Sequence, residues 1–441
     1  MSDPKPKGTN GQSEVKQEKA LPVVEPSGEY SVDEYIKDYS GRTKVTRLVF
    51  IAERCPKLQT KAYQMAIEEL KLSQNTTYYR RLLQGLPDDA LSKLQIDASW
   101  ADAVDKKAAQ QMDRLEHDLE AAKASLIKES IRVGNIELGN FFYERGDLQS
   151  SLRCYVRARD YCTSAAHIIE MCMHVIRVSI ELGNFSHVHN YVSKAEQTAD
   201  DKDVVTAAKL KVCSGLANLE NRKYKQAAKK FIDTPAVLAD TFTEVIVPRD
   251  VAVYGGLCGL ATFSREEIKR LILDNTKFKA FWELIPSLYK LIEDFYNSRY
   301  ASFLSKLEVF QKDTQLDIHL HDHIKSLYEK IRSKALVQYF SPFTSVDMEK
   351  MAASFKTSVD ALTQELAQLI QDGEIAARID SHNKRLYART MDERTQTFEK
   401  AISLGDGFVS KSHSLLLRVN LVRNEFIVKP PRADKDKRRD K

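Results

Sequence analysis

From Asp97 onward, apolar and charged positions alternate with a helical rather than a strand period. Trp100, Val104, Leu115, Leu119, Leu126 and Ile127 fall at helical spacings among charged residues, which predicts a long amphipathic helix. No proline occurs from Asp88 through Thr234, so nothing of that kind breaks a helix there. Tyr254 to Phe263 is a helix rich in small residues. Ser264-Arg-Glu-Glu267 reads as a capping box that opens another. Further helices are expected around Lys279–Leu284, Ser287–Phe295, Arg299–Phe310 and Ile324–Tyr339. The pattern then changes. A short helix at Val346–Phe355 and a second at Ser358–Asp372 precede a strand at Glu374–Ile379. A hairpin turn at Asp380–Lys384 and a returning strand at Arg385–Ala388 complete a two-stranded wing. Beyond it, Phe398, Ile402, Val409, Leu416, Val419 and Phe426 recur at sums of three and four. That is a heptad-like stripe on a terminal helix, interrupted by Gly405, Ser412 and Arg423.

The middle of the chain carries an internal repeat. LGNFFYERGDLQSSLRCYVRARDY fits a tetratricopeptide-type helical hairpin. Leu138, Gly139 and Phe142 lie on its first helix and Gly146-Asp147 forms the turn. Ser151, Tyr155 and Ala158 lie on the second helix. Gly139, Ser151 and Ala158 are small enough to let the two helices approach, while Phe142 and Tyr155 fill the space between hairpins. The turn recurs at Gly183-Asn184, 37 residues on, with Val188, Val192 and Ala195 at the second-helix positions. A third copy falls around Gly215, Asn221-Arg222, Ala227 and Phe231. The copies are degenerate, and Thr163 stands where the motif closes with proline. Such hairpins stack on one another in a solenoid whose ends need caps.

Composition narrows the class. The 441 residues are 43% hydrophobic, enough for a sizeable core, with only 16 glycines and 12 prolines. The formal charge is +5, and the segment Lys429–Lys441 alone supplies +4. The nearly neutral remainder argues against a broad nucleic-acid-binding face. Residues 1–30 and 427–441 are too polar to bury a core and are expected to be disordered. Lys437-Arg438-Arg439 would suit an import signal, with a solvated charge run as the plainer reading. No apolar run approaches a membrane span, and the first residues carry no secretory pattern. Six cysteines without CxxC spacing read as reduced thiols of a protein of the cytoplasm and nucleus.

A mostly α chain, with a right-handed solenoid of tetratricopeptide-like hairpins capped by a winged helix and a C-terminal helix, resembles the PCI domain family. That family is named for the proteasome lid, the signalosome and an initiation factor. The strings LIKESIRVGN, RARDYCTSAAHIIEMCMHVIRVSIELGNF, VAVYGGLCGLATF, DIHLHDHIKSLYEKIRSKALVQYFSPF and ARIDSHNKRLYART are similar to the family of first subunits of the COP-nine signalosome. The resemblance runs from Ser31 to Arg423. It implies an N-terminal helical region at 31–130 and a helical-repeat solenoid at 131–320, whose later part is the helical half of the PCI domain. It implies the winged-helix half at 324–390 and a bundle helix at 391–426.

No string carries chemistry convincingly. His319-Leu-His321-Asp-His323 offers HxH spacing, but no acidic ligand follows at the distance that the related zinc isopeptidase would require. A polar helix start is the better reading. His187-Val-His189 sits after a repeat turn without acidic or Cys neighbours. Tyr254-Gly255-Gly256 lacks the Gly-Lys-Ser/Thr of a phosphate loop, and Cys154 and Cys162 lack a neighbouring base. The expected recognition helix of the winged module carries Asp360, Glu365 and Asp372 and no Lys or Arg. A DNA major groove would repel it. The wing is more basic, with Arg378, His382, Lys384, Arg385 and Arg389, which suits a protein rim equally well.

These readings predict a non-catalytic scaffold without cofactor or metal, acting in a hetero-oligomer and binding neither membrane nor specific nucleic acid. The resemblance implies that other PCI subunits and the isopeptidase subunit are partners, and that cullin–RING ubiquitin ligases are clients from which NEDD8 is removed. Wing strands of such modules join side by side, which implies interface positions at Ile375, Ala377, Ile379 and Leu386. The stripe Phe398, Ile402, Val409, Leu416, Val419 and Phe426 is best buried in a bundle with partner helices. A proteasome-lid subunit has the same expected fold, and a winged-helix nucleic-acid regulator is the alternative of another class.

Overall fold

The computed structural model describes residues 31–85, 98–198, 203–389 and 393–424. Both tails, and Phe426, lie outside the described residues. The chain divides into two compact units, Met1–Ser341 with Ser354–Lys356, and Pro342–Ala353 with Thr357–Lys441.

In the first unit, α1 (Val32–Ile36), α2 (Gly41–Arg54), α3 (Gln59–Leu72) and α4 (Thr76–Gly85) precede the long α5 (Ala98–Ser125). Three hairpins follow: α6 (Lys128–Arg145) with α7 (Leu148–Ala158), α8 (Ala165–Glu181) with α9 (Phe185–Thr198), and α10 (Val204–Glu220) with α11 (Tyr224–Ile232). The stack continues through α12 (Pro248–Thr262), α13 (Arg265–Ile268), α14 (Lys279–Leu284), α15 (Pro286–Tyr296), α16 (Tyr300–Thr314) and α17 (His321–Phe340). The capping box at Ser264 forms, with reciprocal bonds between Ser264 and Glu267, but its helix runs only four residues before a π turn at Lys269–Leu273.

One local device closes all three hairpins. Gly146, Gly183 and Arg222 are left-handed, with φ of +90°, +70° and +59°. The next residue's N–H then reaches back five positions, Asp147 to Phe142 O at 3.0 Å, Asn184 to Ser179 O at 2.9 Å and Lys223 to Asn218 O at 2.8 Å. These bonds satisfy carbonyls that a helix end leaves orphaned. A fourth turn of the same form lies at Ser298 (φ +60°), where Arg299 N–H reaches Asp294 O at 2.9 Å. It falls 76 residues after Arg222, close to twice the repeat period, so the repeat extends into α15 and α16.

Within the first hairpin, a Cβ on Gly139 would lie 2.6 Å from Tyr155 Cε1, so only glycine admits that ring. Ser151 Oγ donates to Gly139 O at 2.8 Å. Tyr155 is fully buried and stacks on His174 of the next hairpin at 4.9 Å between ring centroids. Phe142 packs instead on the cluster of Leu119, Ile131, Leu138 and Cys154.

His174 also lies beside a cation. Burial, and next the Arg177 guanidinium, lower the His174 pKa to about 4. The neutral ring accepts a contact from Arg177 Nη2 at 3.5 Å. A depressed imidazole pKa means that the unfolded chain binds more protons between pH 6.5 and 4. Stability from His174 is therefore complete above pH 6.5 and lost as pH falls to about 4, by on the order of 3 kcal/mol. His174→Phe keeps the stack and should flatten that window in urea titrations run across pH; an unchanged profile would contradict the assignment.

Helices α1–α4 are not a separate N-terminal domain. Arg42 pairs with Glu181 at 2.8 Å and donates to Tyr143 O at 3.3 Å. Ser40 Oγ meets Thr243 Oγ1 at 2.9 Å, and Arg54 donates to Gln315 O at 3.4 Å. Arg145 donates to Gln74 O at 3.1 Å. The first four helices thus span from the first repeat turn to the start of α17.

Their centre is a fully buried ionic cluster. Arg47 on α2 pairs with Asp250 at 3.0 Å on α12 and with Asp317 at 2.7 Å. Tyr39 donates to Asp250, and Tyr254 and Tyr35 donate to Asp317 at 2.7 and 3.1 Å. Burial alone would raise the Asp317 carboxyl; Arg47, His319 and Tyr254 more than offset it and hold it at about 2. Burial dominates at Asp250, whose pKa is raised despite Arg47.

The second unit holds β1 (Ser345–Asp347), α18 (Met348–Phe355), α19 (Val359–Gln371), β2 (Ala377–Asp380), β3 (Arg385–Ala388) and α20 (Glu393–Arg423). The sheet order is β1-β3-β2, antiparallel throughout. Three expectations are corrected here. The wing has three strands rather than two, because Val346, expected to begin a helix, pairs with Leu386. The first wing strand runs Ala377–Asp380, since Ile375 N–H is spent on Leu369 O at the end of α19. Arg385–Ala388 is the central strand, so its backbone is paired on both sides and no neighbour can extend it.

Candidate assembly surfaces

The candidate residues for chemistry are engaged in packing. His319 and His323 both point at Glu220, at 3.4 and 3.5 Å, and Tyr224 OH lies 3.2 Å from His323 Nδ1. Burial opposes ionisation of Glu220, but hydrogen bonds from His319 and His323 hold its pKa at about 2. His321 turns away, with Nδ1 2.6 Å from Ile318 O. Among the described residues, no group of three His, Cys, Asp or Glu is placed to hold a metal ion. His187 lies 3.3 Å from Ser179 Oγ on the repeat it follows. Tyr254, Gly255 and Gly256 sit in mid-helix in α12 rather than in a loop. Burial raises the thiols of Cys154 and Cys162, which keeps both protonated.

The wing positions divide by face. The side chains of Ile375, Ala377 and Leu386 are buried. Ile379 is half-buried. What the sheet does offer is backbone: β2 and β1 are its two outer strands. Alternate N–H and C=O groups of an outer antiparallel strand point away from its partner.

The terminal helix is the larger surface. Its 31 residues span about 46 Å. Phe398, Ile402, Val409, Leu416 and Val419 are all roughly half or more exposed, from 49% to 65%. Phe408, Leu415 and Val422 form a second row, at strict seven-residue spacing and equally exposed. On a helical wheel the two rows cover an arc of roughly 160°. Glu399, Lys400, Asp406 and His413 lie outside that arc, and Leu417 is an apolar exception among them. The second row escapes a reading of the sequence because the first already accounts for a two-helix seam. Its signal is the seven-residue repeat of Phe408, Leu415 and Val422. A face this wide suits a helix with neighbours on two sides, as in a bundle, rather than a two-stranded coil.

Comparisons with known proteins agree with this architecture. The family described as 26S proteasome subunit RPN7 matches residues 97–271, and the PCI domain matches residues 301–390. The chain is 46% identical over 421 residues to an Arabidopsis thaliana protein named COP9 signalosome complex subunit 1, covering 95% of each chain. This chain belongs to the COP9 signalosome subunit 1 family. Signalosome relatives from Drosophila melanogaster (subunit 1b) and Emericella nidulans are 38% and 39% identical, over 95% and 93% of this chain and 90% and 86% of theirs. A rice protein named 26S proteasome non-ATPase regulatory subunit 6 is 22% identical over 74% of this chain and 84% of its own. The similarity thus extends to a proteasome regulatory subunit, and the difference in identity places this chain with signalosome subunit 1. The PCI match ends at residue 390, so α20 lies beyond it.

Proposed function

We propose that this chain is a non-catalytic scaffold of the signalosome, positioning other subunits for removal of NEDD8 from cullins. The observation that carries the reading is α20. Two rows of large apolar side chains stand in solvent along one helix, and each gains roughly 1.5–3 kcal/mol on full burial. A surface of that kind marks an interaction site. Helices of other PCI subunits complete it as a bundle, and the stripe continues toward Phe426. The outer β2 backbone supplies a second joint, by strand addition from a neighbouring winged helix. The isopeptidase subunit works within the same assembly, cullin–RING ubiquitin ligases are its clients, and the complex acts in cytoplasm and nucleus.

The test is mass spectrometry of the native complex purified through this chain. Signalosome subunits and cullins are the expected companions. Co-purification with proteasome ATPases in their place would move the chain to the lid. The nucleic-acid alternative predicts strong, salt-dependent DNA binding by the full chain; absence of binding at low salt removes it.

A further inference from the structure

The outward face of the winged sheet carries a second, chemically distinct surface. Register places Tyr387 of β3 directly across from Arg378 of β2 and from Ser345 of β1. Residues two apart on a strand share a face. Arg385 and Arg389 therefore flank Tyr387 along the chain, and Arg389 is diagonal to Arg378. Phe343, two residues before Ser345, falls on the same side. Tyr387 and Phe343 are 39% and 48% exposed, and all three arginines are exposed. The inward set is Val346, Ala377 and Leu386, all buried.

Charge on this face is uneven. Arg385 lies opposite Asp380 and Asp347. Both carboxylates are also engaged locally: Asp380 accepts from His382 and Asn383, and Asp347 from Glu349 N–H. Lys384 on the hairpin pairs with Glu349 at 3.1 Å. Asp380 shares the face of Arg378 two residues along β2, but its carboxylate is spent on the hairpin residues His382 and Asn383. Arg378 and Arg389 themselves sit across from tyrosine and alanine positions. Neither takes part in an ion pair among the described residues. The result is two guanidiniums outside any ion pair among the described residues, set diagonally near two exposed aromatic side chains.

We propose that this face docks an acidic peptide segment of a partner protein, with carboxylates on Arg378 and Arg389 and an apolar side chain against Tyr387 and Phe343. A guanidinium fork matches a carboxylate in two-point geometry. A nucleic-acid backbone fits less well: so few cations neutralise too few phosphates, and α19 presents Asp360 and Glu365 beside the wing with no basic residue. Strand addition at the β2 edge uses backbone in the plane of the sheet, so edge and face serve different partners at once.

The test uses the full chain and a short fluorescein-labelled peptide of Asp and Glu around one Phe, read by anisotropy. Saturable binding is expected, weakening with salt and absent for the Asn/Gln counterpart. The double change Arg378→Glu with Arg389→Glu should weaken it by about tenfold or more, while Leu416→Glu on α20 leaves it unchanged. Arg389→Glu alone, just outside the strand, gives the same readout should the double change disturb folding. The proposal is overturned by absence of saturable binding, by equal binding of the uncharged peptide, or by full binding to the arginine variants. Tighter binding of oligothymidylate than of the acidic peptide would assign the face to nucleic acid and overturn it as well.

Discussion

Arg47→Met should cost the folded chain about 3–5 kcal/mol, a large share of the stability of an ordinary domain. The guanidinium lies between two buried carboxylates, Asp250 and Asp317, 203 and 270 positions away in the sequence. Methionine fills much of the volume but leaves both carboxylates in a dry interior. One must then take up a proton or admit water. The urea midpoint of the full chain should fall accordingly. Adding Asp250→Asn and Asp317→Asn should recover much of the loss, because the penalty comes from unpaired charge rather than from lost packing. A midpoint that stays put in the single variant would show that the cluster does not hold the first four helices in place. Acid acts on the same cluster. The Asp317 contribution is complete above its unfolded pKa and lost as pH falls toward about 2.

Leu416→Glu with Val419→Glu should release the chain from its complex while leaving it folded. Both side chains are more than half exposed, so the isolated chain loses almost no packing by the change. In a bundle, the same change buries two carboxylates without partners. Each costs several kcal/mol, enough to weaken assembly by several orders of magnitude. Leu417→Glu, outside the apolar arc of α20, is the matched control and should assemble normally. Gel filtration of extracts, with circular dichroism on the purified variants, separates loss of assembly from loss of fold. Normal assembly of the double variant would mean that α20 is not the anchor.

The repeats are legible in the sequence because their turns use residues with a conformational signature. Gly146 and Gly183 announce a left-handed helix end, and their spacing sets the period. Ser298 closes a turn of the same geometry but carries no such signature, so nothing in the sequence marks the repeat in α15 and α16. Strand β1 is hidden for a related reason. Val346 fits the apolar face of a short helix as well as the inner face of a three-residue strand, and only pairing with Leu386 decides between them. Without β1, β3 looks like an edge. The N-terminal layer leaves no local trace at all: Arg47 and Asp250 are 203 positions apart, and no periodicity connects them. Of the candidate surfaces, the α20 stripe is legible from spacing alone. The arginine–tyrosine face of the wing is not, since it depends on the register between β2 and β3.

The most direct test of the central claim is the size of the particle that contains this chain in gently lysed cells, followed by native mass spectrometry. The account predicts that nearly all of it travels in a large hetero-oligomer with other PCI subunits. A stable, solitary 50.3 kDa species with α20 uncovered would contradict it.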